Sequence, residues 1–144
     1  MSATPAGGPG RAAPPEEVTS RSLLLRRVHA VDAAAIARAV RVSLDHLRPW
    51  MPWATPEAAD PRAQLARVAE ADELWESGTD FIYSVLLAES RMVIGEIGLH
   101  HRPGDGGIEI GYWIEMCIRD SVRSWRLPRA GWPLRLAYVI DRCV

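Results

Sequence analysis

Residues 95–114 read GEIGLHHRPGDGGIEIGYWI, and this stretch decides the predicted fold. Its two ends are rich in apolar and aromatic residues, whereas its middle, RPGDGG, has the Pro, Gly and Asp that are typical of a turn. The pattern predicts two neighbouring strands, Arg91–His101 and Ile108–Ile114, in an antiparallel sheet. The preceding segment Asp80–Ser90, DFIYSVLLAES, predicts a further strand that forms a hairpin with the first of these, turning near residues 89–91.

The N-terminal half predicts one more strand, followed by a helix. Arg21–Ala30, RSLLLRRVHA, supplies consecutive leucines and a valine for a buried strand. Asp32 is a favourable N-cap. The residues after it place apolar side chains at helical spacing, namely Ile36, Val40, Leu44 and Leu47. Pro49 and Pro52 cannot continue a helix, so we expect the helix to end before them.

A second helix is expected from about Asp60 or Pro61 to Glu76. Asp60 caps it, Pro61 occupies the tolerated first position, and Gly78 ends it. The expected buried stripe of this helix consists of Leu65, Val68, Leu74 and Trp75. The order of segments is therefore β-α-α-β-β-β, which predicts an α+β fold with an antiparallel sheet.

The composition is that of one globular domain. The 144 residues are 48% hydrophobic and 24% charged, which allows a sizeable core. The formal net charge of −1 gives no general attraction for nucleic acid. Residues 1–20 are rich in Ala, Pro and Gly and predict a disordered leader. The sequence shows no signal peptide and no apolar run of the ~20 residues a membrane helix needs, so we expect a cytoplasmic protein that binds neither membrane nor nucleic acid.

The segment order, with LLLRRVHAVDAAAIARAV, HLRPWMPWA, VIGEIGLH and IEIGYWI, resembles the GNAT acetyltransferases. Within them the chain is similar to the RimJ/RimL branch, which acetylates protein N-termini and other amines. The resemblance covers about Arg21–Ile114, and its most specific pieces are Leu47–Trp53 and Gly95–Ile114. It implies acetyl-CoA as co-substrate, direct attack of the acceptor amine on the thioester, and neither a metal nor a covalent enzyme intermediate.

The implied chemistry makes three physical demands on the site. The amine must be neutral, which an α-amino group of pKa about 8 meets more easily than a lysine of pKa about 10.4. A carboxylate or an ordered water must accept its proton. Backbone N–H groups must meet the developing oxyanion. We therefore expect a protein N-terminus as acceptor, with a small amine as the alternative.

Two glutamates in the strands flanking the implied site are candidates for the proton acceptor. These are Glu109 and Glu96, acting directly or through water, and the alternative is that both are ordinary outward-facing strand residues. Trp113 and Ile114 are expected to offer main-chain groups to the pantetheine arm of acetyl-CoA, in the manner of the family. This arm would lie between their strand and the next parallel one. The alternative for the Trp113 side chain is simple core packing.

The resemblance also implies residues on the acceptor side. Trp50, Met51 and Trp53 lie between prolines in the segment that shapes the acceptor site in related enzymes, and the alternative is a loop pinned to the core by its tryptophans. Tyr112 is a further candidate for acceptor contact or for core packing. His100 and His101 are candidates for the base or for substrate contact, although a histidine pair at a strand end is more often a solvated turn. No third ligand accompanies them, so no metal site is expected.

The sequence after Ile114 departs from the family pattern. The family continues with a glycine-rich loop and a helix N-terminus that bind the coenzyme pyrophosphate. Here Gly131 is the one glycine after Gly111, and Pro128 and Pro133 interrupt any long helix. Residues 1–115 contain eleven Arg and sixteen acidic residues, whereas residues 116–144 contain six Arg and two acidic residues.

We therefore expect residues 21–115 to be a partial acetyltransferase domain and residues 116–144 to be an aberrant tail. Reading plausible codons of residues 122–137 two bases later gives an Ala- and Leu-rich segment, as an out-of-frame tail would. A true alternative C-terminus is the competing interpretation. The expectation is an incomplete, inactive chain, and the alternative function is a non-catalytic acetyltransferase-like domain that binds a partner.

Overall fold

The computed structural model of the chain describes residues 13–101 and 108–116. The described part contains five strands and two α-helices. They are β1 Glu17–Thr19, β2 Leu23–Arg27, α1 Ala33–Leu47, α2 Pro61–Glu76, β3 Asp80–Leu87, β4 Val93–His101 and β5 Ile108–Ile114. The predicted turn at residues 102–107 lies outside the described residues, as do residues 1–12 of the predicted leader and all but the first residue of the predicted tail.

The five strands form one sheet in the order β1-β2-β3-β4-β5, and every neighbouring pair is antiparallel. The predicted β-α-α-β-β-β order and the α+β class are confirmed, with β1 as an addition. Strand β4 begins two residues later than expected because Arg91, with a φ of 60°, belongs to the turn after β3. Strand β5 has the predicted bounds.

Strand β1 lies inside the segment predicted as a disordered leader. It pairs with β2 so that Val18 lies opposite Leu25. The contacts that hold it come from distant residues: the Arg27 guanidinium donates to Glu16 over 2.9 Å, and the Tyr83 hydroxyl donates to the Pro15 carbonyl over 2.8 Å. Such tertiary contacts are invisible to a composition argument, which is why the strand was not foreseen.

Helix α1 has the predicted bounds and the predicted apolar face, with Ile36, Val40 and Leu47 buried. The role expected for Asp32 is wrong. A single turn of 3₁₀ helix precedes α1, so Asp32 has helical dihedral angles and its side chain caps no N–H of α1. Its buried carboxylate instead accepts hydrogen bonds from the Arg26 guanidinium, the His29 backbone N–H and the Ser84 hydroxyl. It thus ties β2 and β3 to the start of α1.

Helix α2 is capped as predicted, since the Asp60 carboxylate accepts from the Arg62 N–H over 2.8 Å. The predicted stripe is right at Val68 and Trp75 and wrong at Leu65, whose side chain is 50% exposed. The buried positions are 64, 68, 71 and 75, so a polar residue, Gln64, occupies the place expected of a leucine. Its amide donates to the Ala58 carbonyl over 2.6 Å, which satisfies it in the interior.

Two apolar clusters lie on opposite faces of β3, because successive side chains of a strand alternate. The larger cluster joins α1, α2 and the face of the sheet that carries Leu86 and Trp113. The smaller one joins Trp75 to Phe81 and Tyr83. No helix in the described part of the chain is long and apolar enough to cross a membrane.

Arg27 connects these layers at the β2 side of the sheet. Its guanidinium contacts the carboxylates of Glu16, Asp72 and Glu76 and lies 5.0 Å from the centre of the Trp75 ring. Burial alone would lower the pKa of Arg27, but the hydrogen bonds to the three carboxylates raise it above its ordinary value. The three carboxylates therefore compensate the charge of the buried cation, whereas its Nε has no hydrogen-bond partner among the described residues.

The corrected stripe of α2 is testable with two truncations. Val68→Ala removes a buried branched side chain and should lower the free energy of unfolding by about 1–3 kcal/mol through lost burial and a residual cavity. Leu65→Ala removes a half-exposed side chain and should change it by less than about 0.5 kcal/mol. Urea unfolding followed by tryptophan fluorescence measures both, and equal effects would contradict the observed orientation of α2.

Candidate functional site

A cavity of about 490 Å³ lies between the sheet and the segment that connects α1 to α2. Its floor comes from β3, β4 and β5, and its walls come from the segment after α1 and from the first half of α2. Its lining is mostly apolar with a few convergent polar groups, which is typical of small-molecule and peptide sites. The lining residues are Met51, Trp53, Glu57, Ala58, Ala63, Gln64, Arg67, Ile82, Glu96, Gly98, His100, Gly111, Tyr112 and Trp113.

The register of β4 on β5 brings the floor residues together. Alternate residues of each strand share one face, and opposite residues of an antiparallel pair lie side by side. Three cross-strand pairs therefore line up on this face: Glu96 with Trp113, Gly98 with Gly111, and His100 with Glu109. Because the middle pair consists of two glycines, it projects no side chain from the centre of the floor into the cavity.

A buried carboxylate fixes one wall of the cavity to its floor. One oxygen of Glu96 accepts from the Arg67 guanidinium over 2.5 Å, and the other accepts from the Trp113 indole N–H over 3.3 Å. The Arg67 Nε also donates to the Gln64 side chain over 2.7 Å. Helix α2 is therefore joined to β4 and β5 by hydrogen bonds at the site. Of the two glutamates predicted as proton acceptors, Glu96 lines the cavity, with both carboxylate oxygens occupied.

Glu109, the other predicted proton acceptor, is exposed on β5 opposite His100 and does not line the cavity. Neither Arg67 nor Gln64 was singled out from the sequence. The available signal was weak: two polar residues three positions apart on the buried side of a helix, where apolar ones were expected.

Two of the three predicted residues of the loop after α1 reach the site. The Trp53 and Trp113 rings lie 5.7 Å apart, centre to centre, at 55°, and Met51 packs against the core beside them. Tyr112 lines the cavity as well. Trp50 does not line it, and its side chain is 78% exposed. Residues 49 and 50 belong to the turn that follows α1, which directs the Trp50 side chain outward.

The His100 imidazole lies over Gly98 in the cavity floor. Its Nδ1 is 2.8 Å from the Asp80 carboxylate on β3, and a methyl group at Gly98 would overlap its Nε2. A methyl group at Gly111 would lie at ordinary contact distance, 3.8 Å from the same nitrogen. His101 points to the other face, where its Nδ1 bonds the Thr79 carbonyl and its ring meets Phe81. Only the first of the two histidines therefore belongs to the site.

The main chain of β5 has one paired edge and one outer edge. The Glu115 N–H donates to the Ile94 carbonyl over 2.6 Å, and a side chain at Gly95 would overlap the Trp113 carbonyl oxygen. The odd-numbered residues of β5 therefore direct their main-chain groups at β4, and the alternation of an antiparallel ladder directs those of Ile114 away from it. The outer edge can offer the Ile114 groups predicted for the pantetheine arm. The Trp113 groups face β4 instead.

The end of β5 is fastened to α1. The Glu115 carboxylate, 6% exposed, accepts two hydrogen bonds from the Arg38 guanidinium, and the Met116 N–H donates to the Ser43 hydroxyl over 3.0 Å. These contacts hold the outer edge of β5 in place up to the last described residue.

The cavity also contains a carboxylate at its margin. Hydrogen bonds from its own backbone N–H and from the Thr55 hydroxyl lower the pKa of Glu57, which keeps it anionic near neutral pH. Among residues 13–101 and 108–116, no group of three or more His, Cys, Asp or Glu side chains is arranged to hold a metal ion.

Comparison with known proteins agrees with the resemblance inferred from the sequence. The family model for the acetyltransferase (GNAT) domain matches residues 22–120. The solved ribosomal-protein-S5-alanine acetyltransferase from Vibrio fischeri is 21% identical with a TM-score of 0.62, and the match covers 69% of this chain and 55% of that one. RimL, a ribosomal L7/L12 alpha-N-protein acetyltransferase in complex with coenzyme A, is 17% identical with a TM-score of 0.66, over 75% and 60%.

A third solved structure, Mycobacterium smegmatis RimJ in complex with CoA-disulfide, is 20% identical with a TM-score of 0.58, and the match covers 66% of this chain and 47% of that one. No curated protein matches the chain significantly. The chain therefore spans less than two thirds of the length of each of these structures. At such identities the likeness establishes a shared fold, and it agrees with the predicted RimJ/RimL branch.

The role of Glu96 as the joint between helix and sheet can be measured with two variants. Glu96→Gln keeps an acceptor for the Trp113 N–H and should cost about 1 kcal/mol of unfolding free energy, because Arg67 is partly exposed and regains water. Glu96→Ala removes both contacts and should cost about 2–3 kcal/mol. Urea unfolding measures both values. A cost for Glu96→Ala no larger than for Glu96→Gln would show that the Trp113 hydrogen bond contributes nothing.

Proposed function

The chain belongs to the GNAT acetyltransferase family, and we propose that the protein encoded with an intact sequence after Ile114 transfers the acetyl group of acetyl-CoA to a primary amine, the preferred acceptor being the α-amine of a protein N-terminus. The observation that carries the proposal is the cavity of about 490 Å³ on β4 and β5, whose floor ends beside the outward main-chain groups of Ile114. An amine in the cavity and a thioester along the edge of β5 would meet at that boundary.

The acceptor side of the cavity suits the first residues of a peptide. Met51 and Trp53 provide apolar surface for a small first side chain, and the Glu57 carboxylate provides negative charge for the approaching ammonium. An α-amine also loses its proton more readily than a lysine amine. The neighbouring structures named as α-N-protein and alanine acetyltransferases support the same acceptor class. A small free amine is the alternative acceptor.

The coenzyme side rests on the outer edge of β5. A pantetheine arm contains amide groups, and amides pair with the open N–H and C=O groups of an edge strand as an added strand would. We assign this contact to Ile114, and assign to the Trp113 side chain the separate task of forming the cavity wall with Trp53. The solved neighbours that contain coenzyme A support acetyl-CoA as co-substrate. That no metal takes part stays a prediction.

Two glutamates near the cavity are the predicted acceptors of the amine proton. Glu96 lines the cavity, but its two oxygens already hold Arg67 and Trp113. Glu109 is exposed beside the cavity, opposite His100. Both glutamates stay predictions for this role, directly or through an ordered water.

A second candidate function is a non-catalytic domain that binds a partner. It is favoured by one observation: within the described residues, no strand pairs with the outer edge of β5. Open strand edges recruit other chains. Coenzyme binding by the protein expressed from the restored reading frame separates the two candidates, because a domain that lost its catalytic role has no need of a pyrophosphate site.

Acceptor binding can be tested with the chain as it is. A short peptide with a small first residue and a free α-amine should change tryptophan fluorescence, because Trp53 and Trp113 line the cavity. The same peptide with an acetylated N-terminus should bind about tenfold more weakly, since it loses a charged hydrogen bond. Trp53→Phe should abolish much of the signal, whereas Trp50→Phe should preserve it. Equal binding of both peptides would contradict the acceptor assignment.

We infer that the 144-residue chain is inactive by itself, because its sequence after Ile114 contains no glycine-rich loop for the coenzyme pyrophosphate. Calorimetry should find no saturable binding of acetyl-CoA, and mass spectrometry should find no acetylated peptide. Sequencing the coding DNA across residues 111–124 should reveal a frame that encodes such a loop, and the protein expressed from that frame should acetylate the peptide. Acetyl transfer by the chain as given would refute its inactivity and support the proposed reaction.

A further inference from the structure

His100 is the one histidine of the described residues that lines the cavity. Its Nδ1 lies 2.8 Å from an Asp80 carboxylate oxygen. An ionised carboxylate can only accept hydrogen bonds, so the neutral imidazole carries its proton on Nδ1 and its lone pair on Nε2. The position of Asp80, directly opposite His100 in the ladder between β3 and β4, thus selects the tautomer.

The Nε2 atom of His100 lies over the glycine pair of the cavity floor. A methyl group at Gly98 would come within 2.9 Å of Cε1 and closer still to Nε2, so the ring can occupy this place only because Gly98 has no side chain. None of the described residues makes a hydrogen bond to Nε2. A nitrogen with an unused acceptor position therefore belongs to the lining of the cavity that an amine would enter.

The charged groups around His100 favour the binding of a cationic ligand. On β3, Asp80 holds the other ring nitrogen, and on β5 the exposed Glu109 is its cross-strand neighbour. From the walls, Glu57 adds a carboxylate, while among the described residues the one guanidinium that lines the cavity, that of Arg67, is bound by Glu96. These carboxylates therefore attract an ammonium group to a site where Nε2 is the hydrogen-bond acceptor that has no partner among the described residues.

We propose that His100 is the group that takes the proton of the acceptor amine, with Asp80 as its positioning residue. The inference rests on the proposed acetyl transfer and deepens it, since neither Glu96 nor Glu109 combines a free acceptor atom with a place in the cavity. Imidazole is also the side chain that exchanges protons near neutral pH.

The proton and electron balance of the step is simple. One N–H bond of the ammonium breaks and a proton moves to Nε2, which leaves a neutral amine. The amine nitrogen attacks the thioester carbonyl carbon, an N–C bond forms, and the C–S bond then breaks with its electron pair on sulfur. The thiolate takes the second proton of the nitrogen and leaves as the thiol, and His100 returns its proton to solvent.

The test uses imidazole ¹⁵N NMR and tryptophan fluorescence on the full chain, so that it does not depend on turnover. Comparison with His100→Gln assigns the His100 signals. The peptide with a free α-amine should shift the Nε2 resonance, and its N-acetylated form should not. His100→Gln should bind the free peptide about tenfold more weakly, whereas His101→Gln, altered on the opposite face, should bind it as the unaltered chain does.

Two glycine variants keep the test falsifiable if His100→Gln unfolds. Gly98→Ala should displace the ring, which changes the Nε2 resonance of the free protein, and weaken peptide binding, whereas Gly111→Ala should leave that resonance unchanged. Peptide binding seen by fluorescence without a shift of Nε2, or a free protein with its proton on Nε2, would overturn the role of His100 and leave the proposed function standing. Absence of binding by both readouts would overturn the acceptor site and the inference with it.

Discussion

The buried carboxylate of Glu96 is the constraint on which the site depends. It lies on the central part of β4, and its partners come from α2 and from β5. A carboxylate in the interior must have both oxygens satisfied, which fixes the distance and rotation of the helix relative to the sheet. The space left between them is the cavity, so one ionic contact determines the separation of its floor and its wall.

Local signals in the sequence predicted most of the elements. Capping by Asp60, the proline after it and the alternation in β5 act within a few residues, and the bounds of α2 and β5 follow from them. The failures have one physical origin. Strand β1 is held by Arg27 and Tyr83, and Asp32 is drawn away from its helix by Arg26 and Ser84, contacts that no local pattern contains.

The sequence predicted which segments form the site, but it did not predict how their side chains and main-chain groups are oriented. The family-like pieces lie where the cavity is, and Met51, Trp53, Tyr112 and Glu96 line it together. The sequence could not predict the directions in which side chains and main-chain groups point. A turn sends Trp50 outward, and the ladder turns the Trp113 main chain toward β4 and that of Ile114 outward. The Asp80–His100 pair needed the register of β3 on β4, which is a property of the folded sheet.

The placement of the His100 imidazole over Gly98 couples two positions that are two residues apart on β4. As long as His100 lies over Gly98, any larger residue at position 98 meets the ring. A chain in which His100 is first replaced by a small residue has no such restriction, so the two substitutions are non-additive. The order of substitutions in this strand therefore matters: a larger residue at position 98 displaces the imidazole in a chain that retains His100 and meets no ring in a chain that has already lost it.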